Sequence, residues 1–174
     1  MVRVPLIVFA AAVLLWAIQC LLNHYIAPWQ LTVFSAGLVV AFAALRLTYR
    51  EGVRALILTG LWLDAASPVP FGLHTALMLV AQTIIFGLRG RLAREDTLVG
   101  LGCAVLSNLA VFLVLSAALL HRNPAPVNMA LRLIMDSLLS FCVLVLIGPW
   151  FFAFLERLLE MCGVNLRREQ RGIA

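Results

Sequence analysis

The chain contains no lysine. Its thirteen basic residues are all arginine, its acidic residues number eight, and only 12% of its 174 residues are charged, against roughly 25% in an average soluble domain. A net charge of +5 invites thought of nucleic acid, but the arginines flank apolar runs, as membrane topology determinants do, so no nucleic-acid partner is expected. The four cysteines, Cys20, Cys103, Cys142 and Cys162, are far apart and lack the Cys-x-x-Cys or Cys/His spacing of a redox or zinc site; they read as small apolar filler. Three motifs are absent: a glycine loop ending in Gly-Lys-Ser/Thr, a Gly-x-Ser-x-Gly elbow and a His-Glu-x-x-His helix. Nothing therefore points to a nucleotide hydrolase, a serine hydrolase or a zinc protease, and no metal or cofactor is expected. None of the eleven glycines forms the Gly-x3-Gly pattern that packs membrane helices.

What the chain has in excess is hydrophobic surface, at 64% of residues against roughly 45–50% normally. From Val4 to Leu45 no residue is charged, long enough for two spans of about 20 residues each. The first run continues beyond a secretory signal and has no cleavage site after it, so it reads as a retained helix. Between the two runs lies Asn23-His24-Tyr25-Ile26-Ala27-Pro28-Trp29, where proline breaks the helix and the aromatic rings suit a lipid–water boundary. Continuing this way predicts an all-α polytopic membrane protein with a six-helix transmembrane bundle. The expected helices span about 5–23, 30–47, 53–66, 71–88, 97–120 and 127–152. A basic tail at 153–174 begins with a short amphipathic spacing that fits an interface. The whole chain, 1–174, is one transmembrane domain on this reading.

Orientation follows from the arginines. Arg3, Arg46, Arg50, Arg54, Arg89, Arg91, Arg94, Arg157, Arg167, Arg168 and Arg171 fall on one side, while only Arg122 and Arg132 fall on the other. The positive-inside rule then puts both termini in the cytoplasm. Within the spans, Asp64, Arg132 and Asp136 are charges that need a partner or a function. Gln19, Gln82 and Asn108 lie at comparable depths, so a shared polar layer is expected. Three roles are open to it: an internal ion pair with interhelical hydrogen bonds, a partner or substrate site, or proton transfer. Arg132 is expected to pair with either Asp136, one turn away, or Asp64. The three histidines, His24, His74 and His121, all fall near the outer loops without ligand spacing.

The most distinctive stretch is Gly60-Leu61-Trp62-Leu63-Asp64-Ala65-Ala66-Ser67-Pro68-Val69-Pro70-Phe71-Gly72-Leu73-His74. It combines an intramembrane acid, a proline turn and a glycine at the next helix start. Gly60, Asp64, Pro70, Gly72 and Leu73 match a Gly-x3-Asp, x5-Pro-x-Gly-Leu signature, and the segment resembles that of the bacterial rod shape-determining protein MreD family. Pro68 stands where that family commonly has a small residue. The resemblance implies a non-enzymatic inner-membrane scaffold of the cell-elongation complex. Its implied partners are the periplasmic scaffold MreC, the MreB filament, RodA with its transpeptidase partner, and membrane lipid. It also implies a fold similar to the substrate-binding components of energy-coupling-factor transporters, so a small-solute-binding transporter component is the alternative. Those components commonly carry Ala-x3-Ala on their first helix; this chain has no such spacing.

Overall fold

The computed structural model describes residues 3–67, 69–92, 96–120 and 126–164, with side chains except at 118–120 and 126–130. The expectations for Pro68, Arg94, the loop containing His121 and Arg122, and the basic tail at 165–174 lie outside the described residues. Among those described are six α-helices: α1 (Arg3–Ile26), α2 (Ala36–Arg46), α3 (Tyr49–Ala66), α4 (Leu73–Leu88), α5 (Thr97–Leu120) and α6 (Pro126–Met161). Three apolar segments, Arg3–Trp29, Thr97–Ala117 and Leu131–Met161, are long enough to cross a bilayer, and α2 and α4 are apolar but shorter. The chain is a helical membrane protein.

The second helix departs most from expectation. It begins at Ala36, not near residue 30. After α1 the chain makes a single 3-10 turn, Ala27–Trp29, that closes on Gln30 in the left-handed region at φ 56°. Residues 31–35 then run without helix. At about 1.5 Å per residue α2 is only about 16 Å long, roughly half of a hydrocarbon core of about 30 Å. The five non-helical residues before it span at most about 3.3 Å each, so α2 and its lead together reach no further than about that thickness.

α2 is also the centre of the fold. Every residue from Ala36 to Leu45 is buried, as a helix apolar on all sides requires, and α3, α4, α5 and α6 all pack on it. Its Phe42 stacks on Phe152 of α6 with ring centroids 6.0 Å apart. α1 packs chiefly on α3. The surface is apolar as well: Leu14 and Ile18 of α1, Leu106 and Leu113 of α5 and Leu138 and Leu146 of α6 all point outward, as side chains facing lipid do.

α6 is a second correction. Instead of ending near residue 152 with a separate interfacial segment, it continues to Met161 through the internal Pro149. The periodic leucines explain the continuation: Leu155 and Leu159 are fully buried in the core, and the intervening Glu156 pairs with Arg46 at 3.1 Å. Smaller shifts are that α1 runs on to Ile26, α3 starts at Tyr49 and α4 starts at Leu73.

Candidate functional site

Unwinding the backbone inside a bilayer strips it of its own hydrogen-bond partners, which is tolerated only where protein supplies others. Around residues 31–37 it does, from three helices. From α6, Asp136 accepts the Thr32 amide through Oδ1 at 2.8 Å and the Thr32 hydroxyl through Oδ2 at 2.9 Å, and Ser140 Oγ accepts the Phe34 amide at 3.0 Å. From α1, Asn23 brackets Val33, accepting its amide at 2.8 Å and donating to its carbonyl at 3.1 Å, and the Ser35 hydroxyl donates to Gln19. From α5, Asn108 donates to the Phe34 carbonyl at 2.9 Å and accepts the Gly37 amide at 3.1 Å. The Ser107 hydroxyl reaches the Gly37 carbonyl at 3.3 Å. Asn108 thus does for α2 what an N-cap side chain does, from a different helix, since Ser35 makes no cap bond of its own.

The same device recurs at α4. Gly72, with φ 92°, sits in the left-handed region that glycine enters without steric cost and precedes α4 without a capping side chain. Asp64, at the end of α3, supplies the cap. Its Oδ1 accepts the His74 amide at 2.9 Å and lies 3.0 Å from His74 Nδ1. Its Oδ2 accepts the Thr75 amide at 3.2 Å and the Thr75 hydroxyl at 2.7 Å. A carboxylate at a helix N-terminus is also favoured by the helix dipole. Gly60 makes the approach possible, because a Cβ there would lie 2.6 Å from Thr75 Cα. Pro70 is exposed in the turn, its carbonyl accepting the Leu73 amide at 3.2 Å. The two clusters meet at Phe34, whose ring is 6.3 Å from His74 and 6.4 Å from Phe112.

The structure brings Gln19, Asn108 and Asp136 together on one stretch of chain and leaves three expected members, Asp64, Arg132 and Gln82, off it. Asp64 does not pair with Arg132, since both its oxygens are occupied by α4. Arg132 reaches Asp136 at 4.0 Å with its own side chain half exposed. Gln82 is wholly buried, and among the described residues neither its amide nitrogen nor its oxygen has a hydrogen-bond partner. It lies against Gly52 of α3, away from the unwound segment. Asn23, Thr32, Ser35, Ser140, His74 and Thr75 were not singled out from sequence as members. The signal for the first group was present: Thr32-Val33-Phe34 is strand-forming in composition and leads to a serine of N-cap type before an alanine-rich helix. Between α5 and α6 a groove of about 200 Å³ opens outward, lined by Asn108, Phe112, Ser137 and Phe141 among others. No protein-family model, curated protein or solved structure matches this chain.

Proposed function

We propose that the chain is a six-span, non-enzymatic scaffold of the bacterial inner membrane that organises the cell-elongation machinery, with both termini in the cytoplasm. The observation that carries this reading is the α3–α4 hairpin. Gly60, Asp64, Pro70, Gly72 and Leu73, the residues that carry the resemblance to the rod-shape family, all belong to its close approach, cap and turn. The turn places Phe71, 71% exposed, at the tip, where the membrane-proximal part of a periplasmic scaffold protein of the MreC kind would meet it. The polar side chains of the bundle also favour a scaffold, because those of Asp64, Asp136, Asn108 and Gln19 are committed to holding backbone or neighbouring side chains in place. A solute site there would need polar groups left free to bind, and the buried side chain without a partner among the described residues, Gln82, packs against Gly52 instead.

The test uses an exposed residue, since replacing Asp64 or Gly72 would damage the hairpin itself. Phe71→Asn should leave the melting temperature in detergent unchanged and reduce copurification of the single-span scaffold about tenfold or more, the usual effect of losing an aromatic anchor. Depletion should round rod-shaped cells. Stoichiometric binding of a vitamin-like solute by the purified chain, with cell shape unchanged on depletion, would point to the transporter alternative.

A further inference from the structure

The arginines on the arginine-rich side divide into two kinds. Arg46 pairs with Glu156, and Arg89 donates to the Leu47 carbonyl at 3.1 Å while lying 3.8 Å from the centre of the Phe86 ring. Both hold the fold together. Arg50 and Arg54 are exposed, and neither takes part in the ion pairs found among the described residues. The carboxylate beside them, Glu51, is buried and accepts the Thr48 hydroxyl at 2.9 Å.

Their placement on α3 narrows what they meet. Residues 50, 54, 58 and 61 recur at helical spacing and share one face, and Leu58 and Leu61 on it are exposed. Outward leucines on a membrane helix face hydrocarbon, so arginines on the same face, at the helix end, stand in the headgroup layer. The adjoining α3–α4 seam adds hydroxyls: Tyr49 Oη and Thr83 Oγ1 are 3.5 Å apart and exposed. The Tyr49 ring is steadied by Phe86, with centroids 5.0 Å apart. One turn beyond Thr83, Gly87 leaves open space where a side chain would stand.

We propose that this end of the α3–α4 seam binds an anionic phospholipid, on the membrane arrangement proposed above. Arg50 and Arg54 hold the phosphodiester, the Tyr49 hydroxyl meets the glycerol and ester oxygens beside Thr83, whose own hydroxyl donates to the Leu79 carbonyl at 2.8 Å, and an acyl chain follows Leu58 and Leu61. Guanidinium groups match phosphate oxygens in charge and in geometry, and basic pockets between membrane helices on the cytoplasmic side are suited to such headgroups. The leucines select the lipid over free phosphate, which has nothing to lay on them. They also select it over an acidic protein segment, which has no reason to approach along a hydrocarbon-facing row.

Native mass spectrometry of the full chain in detergent, titrated with phosphatidylglycerol or with phosphatidylcholine of the same chain length, tests the site. The unmodified protein should favour phosphatidylglycerol at least tenfold, and millimolar inorganic phosphate should not displace it. Arg54→Gln should weaken that binding about fivefold and Arg50→Gln/Arg54→Gln about 25-fold, with unchanged melting temperature, while Arg91→Gln leaves it unaltered. Equal binding of the two lipids by the unmodified protein, or full retention by the double variant, overturns the proposal. So does a cross-link from residue 54 to an acidic protein segment in membranes, which assigns the face to a protein. Labelling of Arg54→Cys by an impermeant thiol reagent, with the four native cysteines replaced by alanine, separates the two readings. Reaction from the periplasmic side overturns the membrane arrangement itself; reaction from the cytoplasmic side without lipid preference overturns the lipid site alone.

Discussion

Asp64 and Asp136 solve one problem in two places: each offers two carboxylate oxygens to donors clustered where backbone enters a helix or leaves one. Asp64 serves two amides, a hydroxyl and an imidazole nitrogen, and Asp136 serves an amide and a hydroxyl. An acceptor-only group fits such a set, whereas asparagine turns one oxygen into a donor facing other donors. Asp64→Asn should therefore lower stability by about 2–3 kcal/mol, the scale of hydrogen bonds to a charged group. Arg132→Gln should cost under about 1 kcal/mol, since its partner is 4.0 Å away and it is half exposed. The double exchange Asp64→Arg with Arg132→Asp should fail to restore stability. Unfolding in mixed micelles with increasing dodecyl sulfate measures all three, and recovery by the exchange would reinstate an interhelical ion pair. The sequence marks these residues, because a carboxylate inside a membrane helix is conspicuous. It does not mark their partners, because half of the donors are main-chain amides whose availability depends on where a helix stops. Gln82 is a further case: its depth is readable from the sequence, and its want of a partner is visible only in the packing.

Among elements, α2 and its extended lead depart furthest from periodicity reasoning. An uncharged run from Val4 to Leu45 reads as two full helices because hydrophobicity alone does not show where a helix gives way to non-helical backbone. What makes the half-helix workable is close contact with α5. A Cβ on Gly37 would lie 2.6 Å from the Asn108 Cβ and 2.7 Å from its amide nitrogen, so this crossing has no room for a methyl group. Gly37→Ala should push Asn108 off both of its backbone partners and cost about 3 kcal/mol or more, combining overpacking with unpaired buried groups. Gly102→Ala, in α5 where nothing lies within 4 Å of the added carbon, should be neutral or stabilise by up to about 1 kcal/mol. Thermal melting of the two variants in the same detergent makes the comparison, and equal losses would contradict the tight α2–α5 crossing. The hairpin of α3 and α4 was easier to anticipate, since Pro70 and Gly72 punctuate it. The extension of α6 past residue 152 was not, because buried Leu155 and Leu159 give the same spacing as a surface-lying amphipathic segment.

For the whole molecule, the distribution of arginine is the most telling property, and it is read directly from the chain. On the proposed six-span arrangement eleven of the thirteen arginines fall on one side, so reporter fusions placed after Pro28, Pro70 and Pro124 should all read periplasmic. Cytoplasmic readings at two of them would require a different arrangement. The extended segment has a consequence for how the protein is made. Thr32 and Phe34 hydrogen-bond to residues 104 and 106 positions further along, and Gly37 to one 71 positions on. At translation rates of about 5–20 residues per second, those partners emerge from the ribosome about 5–20 seconds after the segment that needs them. During that interval Asn23 of α1 already holds Val33, but the amides of Thr32, Phe34 and Gly37 lack these partners until α5 and α6 arrive. Any truncation before Asp136 releases a chain in which the Thr32 and Phe34 amides never meet their partners, which makes the last helix the one that completes this segment.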